Sequence, residues 1–283
     1  MLMKTVLICP AQRTEVPLLA SEAPLAVAPA LGYSLVEYWM SHLACSGVKE
    51  VVLLAHDAPD EVRKLVGTGS RWGVAAEVIA ESRELTMEEA AEKYGASATV
   101  MDHFPGLPGH PLFESYEGWF RALEAWMPRA VTPDRVGVRE FRPGIWVGLH
   151  GHISSKARLY APCWVGDHVY IGPDAIIGSN TVLENGAFIE ANAEIENSVI
   201  GPATFVGQYF QITRSLVWGN MVVNWQTGLE TKVNEAFLLC SLHPPRRQGA
   251  KPVPLLDRVM KWMTLWTEDQ PLEPQPILLK KEG

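Results

Sequence analysis

Cysteine is scarce in this chain, with four among 283 residues (Cys9, Cys45, Cys163 and Cys240), and no two form a C-x-x-C pair. Such wide spacing signals neither a zinc site nor a disulfide framework, so all four are read as buried free thiols in a reducing compartment. Nowhere do about eighteen apolar residues run together, which excludes a recognisable membrane-spanning helix. The segment from Met1 to Pro10 carries one lysine and a short β-branched run. It lacks the apolar length and small-residue cleavage site of a signal peptide, and a cytoplasmic location is expected. Clustered cations are also missing: the formal charge is -8, and cations stand side by side only in pairs such as Arg246-Arg247. Phosphate neutralisation needs such clusters, so nucleic acid is not expected as a partner.

What the chain does contain is a period. Steps of six from Val147 pass through Ile153, Leu159, Val165, Ile171, Ile177, Leu183, Ile189 and Ile195, all aliphatic. A five-residue step leads to Ile200, and the series goes on through Val206 and Ile212, then more loosely through Val217, Val223 and Leu229. A second series lies four residues after each member and is mostly small: Gly151, Ala157, Cys163, Val169, Ala175, Thr181, Ala187, Ala193, Val199 and Thr204. Neither an α-helix nor plain alternation gives a period of six, whereas a coil with short flat faces does, with one large and one small side chain inward per face. Rungs should then pair residues roughly three steps of six apart. Glycine directly follows the aliphatic residue at 148, 166, 172, 178, 201 and 207, where freedom from Cβ strain helps; Asn180, Asn185, Asn192 and Asn197 suit corners.

With this pattern the sequence resembles the hexapeptide-repeat left-handed parallel β-helix family. Its members include acyltransferases and the C-terminal domains of many nucleotide-sugar pyrophosphorylases, so the resemblance specifies a fold and leaves the activity open.

Ahead of the repeat, Thr5 to Cys9 and Glu50 to Ala55 read as buried strands and Ala75 to Ala80 as a third strand, with helices over Ser34 to Ser46 and Pro59 to Val66. Strand, helix, strand, helix, strand implies a parallel sheet with right-handed crossovers, whose ligands sit at the carboxyl ends of the strands. S-L-V-E-Y-W-M-S-H-L-A-C-S-G-V-K-E-V-V-L-L from Ser34 and G-S-R-W-G-V from Gly69 resemble sugar-1-phosphate nucleotidyltransferases, and with a β-helix behind them the order of parts is similar to mannose-1-phosphate guanylyltransferases. The resemblance implies a shortened Rossmann-like α/β domain and a nucleotide sugar as a possible ligand.

That family carries G-G-x-G-T-R after the first strand, where this chain has P-A-Q-R-T-E from Pro10 to Glu15. By position the resemblance assigns substrate contact to Pro10, Ala11, Thr14 and Pro24, but only Thr14 keeps the family residue in the loop. Pro10 removes a backbone donor, and Glu15 stands where a cation is needed. In the second element, P-L-A-V-A-P from Pro24 to Pro29, Leu25 replaces lysine; the third, T-M-E-E-A from Thr86, has the look of a charged helix. Asp102, in A-T-V-M-D-H, is the position for a metal ligand, and Mg²⁺ is expected only if the site is active.

Three further features remain. His150, His152 and His168 lie in the first coils, and hexapeptide acyltransferases use a histidine as general base at a coil edge. A helix over Glu117 to Trp126 gathers Trp119, Phe120, Leu123 and Trp126 on one side, as core more than as a sugar platform. Near the end, Leu255, Val259, Trp262, Met263 and Trp266 share one helical face that suits capping or docking. The expected organisation is an α/β domain over 1–103, a linker with the aromatic helix over 104–145, the β-helix over 146–232 and an extension over 233–283. The expected role is a non-catalytic binding, regulatory or scaffold protein of sugar-nucleotide or polysaccharide metabolism, as a homo-oligomer or with a protein partner through the β-helix or C-terminal helix. The alternatives are an active nucleotidyltransferase with altered motifs and a hexapeptide-repeat acyltransferase.

Overall fold

A computed structural model describes residues 4–21, 23–95, 98–102, 112–130 and 137–242. Met1–Ser241 form one compact unit and Leu242–Gly283 a second. The 104–111 loop, Arg246-Arg247 and the helical face from Leu255 to Trp266 lie outside the described residues.

The first strand, β1 (Lys4–Ile8), is followed by α1 (Leu35–Cys45), β2 (Glu50–Ala55), α2 (Pro59–Val66), β3 (Ala75–Ala80), α3 (Met87–Tyr94) and β4 (Ala98–Met101). All four strands are parallel in the order β3-β2-β1-β4, so the crossovers leave β1 in opposite directions and open a crevice at its carboxyl end. Local chemistry fixes the helices. Ser34 and Glu37 close a reciprocal capping box on α1, Thr86 and Glu89 do the same on α3, and Gly47 in left-handed backbone follows the end of α1. Next comes α4 (Tyr116–Trp126), with Trp119, Phe120, Leu123 and Trp126 buried as core.

From Ile145 the chain winds as a parallel β-helix with three faces. The first face stacks Ile145–Val147, Cys163–Val165, Thr181–Leu183, Val199–Ile200 and Ser215–Trp218; the second stacks His152–Ile153, Tyr170–Ile171, Phe188–Ile189 and Thr204–Val206; the third stacks Arg158–Leu159, Ile176–Ile177, Glu194–Glu196 and Gln211–Thr213. Rungs pair Val147 with Val165 and Ile177 with Ile195, then Leu183 with Ile200 and Ile195 with Ile212 once the five-residue step has passed. The inward stack from Val147 to Val217 forms its own core.

Several sequence expectations need correction. The five-residue step moves the small inward position from Val199 to Ser198, and Val199 faces outward with Val182 and Trp164. The aliphatic series stops at Val217, because Ser215–Trp218 turns into an antiparallel hairpin with Met221–Asn224; Val223 pairs with Leu216 in the outer core and Leu229 is 67% exposed. The repeat glycines have ordinary φ, and what requires them is the next coil: a Cβ on Gly148 would lie 2.3 Å from an Asp167 carboxylate oxygen. Asn180, Asn192 and Asn197 hold left-handed corners, whereas Asn185 does not and instead accepts the Asp167 amide at 2.8 Å. All four cysteines are free, but only Cys9 and Cys163 are buried; Cys45 is exposed and Cys240 half-buried.

Outward side chains of the first face, Trp146, Trp164, Val182, Val199 and Leu216, join one apolar core with α1, α4 and the β1–β3 layer. Phe120 of α4 stacks on Trp225 at 4.5 Å, and Tyr38 of α1 meets Trp126 at 3.9 Å. Among the described residues no helix is long and apolar enough to cross a membrane.

Candidate functional site

The crevice beside β1 is where a parallel sheet of this order places a ligand, and the chain entering it is the Pro10–Glu15 loop. A phosphate site there would need free backbone donors and a free cation. Both are engaged. The Ala11 amide donates to a Glu84 carboxylate oxygen at 3.3 Å, and the Gln12 amide donates to the Asp57 carboxylate. Arg13 forms an ion pair with Glu84 at 2.7 Å and donates to the Ala11 carbonyl at 2.8 Å. The Glu84 hydrogen bond raises the Arg13 pKa above its ordinary value, so the guanidinium stays charged but neutralised within the chain.

Other members of the assigned set fit the same picture. Thr14 is exposed and donates to Glu15 at 2.9 Å; the Glu15 carboxyl is held below its ordinary value by its own amide and by Thr14, so it is a carboxylate at neutral pH. Pro10 and Pro24 are buried, and Leu25, standing where the resembled family has lysine, is a core residue. Burial pushes the Cys9 thiol at the end of β1 up to about 12, with Glu84 adding to the shift, which leaves it inert as a nucleophile.

Asp102 is exposed just beyond β4. Among the described residues no three His, Cys, Asp or Glu side chains come together to hold a metal.

The structure brings two of the three histidines together. His150 and His168 sit at the same corner of consecutive coils, both in left-handed backbone and both exposed, with rings stacked at 5.1 Å. His152 belongs elsewhere. It heads a ladder on the second face, stacked on Tyr170 at 5.1 Å, with Phe188 and Phe205 beyond. Burial lowers its pKa, so its neutral form is favoured. Among the described residues no carboxylate or carbonyl hydrogen-bonds the His150 or His168 ring.

Asp57 and Glu84 were not singled out from the sequence. Their signal was positional, since they follow the carboxyl ends of β2 and β3, on the ligand side of such a sheet.

Comparison with known proteins gives two findings. Residues 162–197 match the family model of the bacterial transferase hexapeptide (six repeats). Among solved structures, a variant of perosamine N-acetyltransferase from Caulobacter crescentus, in complex with CoA and GDP-perosamine, is similar at 12% identity over 59% of this chain and 92% of that one, with a TM-score of 0.16. At that score the likeness carries no argument, and the repeat match stands by itself for a hexapeptide β-helix within the chain.

Proposed function

We propose that this protein is non-catalytic in its α/β domain, with a binding, regulatory or scaffold role in sugar-nucleotide or polysaccharide metabolism. In this reading residues 1–103 form a nucleotide-sugar-pyrophosphorylase-like domain, 104–145 a linker with α4, and 146–232 the β-helix. One observation carries it: Glu84 and Asp57 hold the amides and the arginine that a phosphate would need. An entering triphosphate would have to displace two carboxylates and pass Glu15, like charge against like charge in a partly desolvated crevice. Assays of pyrophosphorolysis of GDP-mannose, UDP-glucose and dTDP-glucose with Mg²⁺ should stay at background. Turnover at an ordinary rate, abolished by changing Thr14 or Asp102, would overturn the reading.

A second reading, acyl transfer by the β-helix, is favoured by the transferase-family match over residues 162–197, which speaks for it more directly than for the first. It places a general base among His150, His152 and His168. Its test is release of free CoA from acetyl-CoA in the presence of amino sugars. Activity lost in His150→Ala or His168→Ala would support it, and no thiol release with any acceptor would remove it.

A further inference from the structure

The three faces of the β-helix differ in what lies over them. The first packs against the apolar core shared with α4, and the second is bordered by the antiparallel strand Leu239–Ser241. The third turns two outward rows to the surface. One row runs Arg158, Ile176, Glu194, Gln211, each paired with the next across a rung. The other, one residue past the inward stack, runs Tyr160, Gly178, Glu196, Thr213 by the same register.

Between these rows lies a groove of about 360 Å³, lined by Tyr160, Ile176, Ser179, Glu194, Glu196 and Gln211. That volume is within the roughly 300–1,000 Å³ of small-molecule sites. Gly178 lets the next coil pack close: a Cβ there would fall 2.7 Å from Glu196 Cγ, so only glycine leaves the Glu196 stem in its place along the groove. Tyr160 is 49% exposed and walls one end. Gln211 donates to Glu194 at 3.2 Å, which orients both groups while leaving the second Glu194 oxygen available as an acceptor.

From this lining we infer that the third face is a binding groove for a neutral oligosaccharide. The Tyr160 ring and Ile176 present apolar area to the C–H face of a sugar, and Glu194, Glu196, Gln211, Thr213 and Ser179 offer acceptors and donors to its hydroxyls. Two carboxylates in one groove repel phosphates and uronates, which sets this ligand apart from a nucleotide diphosphate. Four rungs spaced about 4.8 Å apart span roughly 14 Å, room for a short glycan laid along the stack. The groove shares no residue with the Pro10–Glu15 loop, so it stands or falls separately from the reading of the α/β domain.

Saturation-transfer NMR and calorimetry on the full chain, with maltotetraose, cellotetraose, mannotetraose and tetra-N-acetylchitotetraose, test the assignment, with tetragalacturonate as the anionic control. At least one neutral tetrasaccharide should bind and the control should not. Tyr160→Ala and Gln211→Ala should each weaken binding by about tenfold or more, with melting temperature unchanged because both side chains are exposed. The assignment is overturned if none of the neutral sugars binds at about 10 mM, a concentration that still detects millimolar affinity, or if the control binds equally. It is likewise overturned if both variants bind as the parent does. Sedimentation that shows an oligomer released by Tyr160→Ala would give this face to a second copy of the chain and end the glycan assignment.

Discussion

Glu184, 1% exposed, reaches from the β-helix into the α/β layer. Its two carboxylate oxygens accept from the amides of Leu31 and Gly32 at 2.7 Å each, and Asn185 donates to the Gly32 carbonyl at 2.8 Å. Leu31 and Gly32 are both in left-handed backbone, at the turn of the short hairpin Pro29–Ala30/Tyr33–Ser34, so the clamp holds a conformation that a leucine disfavours. Glu184→Gln substitutes a donor for one acceptor against a buried amide and should cost about 1–3 kcal/mol in urea unfolding; an unchanged midpoint would show that the clamp is redundant. His152 gives a second prediction. Its pKa is lowered in the folded chain, so as pH falls through the ordinary histidine value the unfolded chain takes up protons first. Stability from this residue is therefore whole above about pH 6.5 and declines below it, toward the lowered folded value. His152→Phe, which continues the Tyr170–Phe188 ladder, should reduce the acid-side decline in urea midpoint between about pH 7.5 and 5.5. An identical slope in both proteins would contradict it.

Elements divide sharply in how well the sequence announces them. Each helix of the α/β layer begins or ends on a local signal, such as Ser34 with Glu37 or Pro59 at the start of α2, and β2 runs V-V-L-L-A without a polar residue after Glu50, while β3 keeps an apolar run interrupted by Glu77. The coils are legible because every turn solves the same burial problem with the same side-chain sizes. Their end is not, because turning Ser215–Trp218 back on Met221–Asn224 depends on a register between chain segments and not on a period. For the same reason the candidate site is only half legible. The loss of glycines between Pro10 and Glu15 is visible in the residues, but that Glu84 and Asp57 take the loop's donors depends on three strand ends meeting. If those carboxylates stand where an anion would, Asp57→Ala with Glu84→Ala should free the amides and Arg13. Inorganic pyrophosphate should then raise the melting temperature of the double variant and leave the parent unmoved, since about 100 times Kd adds about 2.7 kcal/mol by mass action. No shift in either protein would mean that the loop's shape, and not its occupancy, has been lost.

On the scale of the whole described unit, one apolar core runs from the parallel sheet through α4 to the outer side of the β-helix, with Trp164 fully buried in it. Trp164→Ala should cost about 3–5 kcal/mol. Because both layers share that core, far-ultraviolet circular dichroism and tryptophan fluorescence should report a single transition in the parent and the variant; separate transitions would mean that the two layers fold independently.

Clamp and stacked tryptophan together make the coil number a measured length. Glu184 engages the hairpin turn midway along the stack, and Trp225 engages Phe120 beyond its last rung. A free solenoid can gain or lose a turn with little consequence, because each turn touches only its neighbours. Here the α/β layer acts as a gauge laid against the stack. An eighteen-residue duplication between the two anchors would shift one of them by about 4.8 Å relative to the other, beyond the reach of a hydrogen bond. Evolution by whole-coil duplication, the easiest way for such a fold to grow, is therefore closed in this segment unless the α/β layer changes with it.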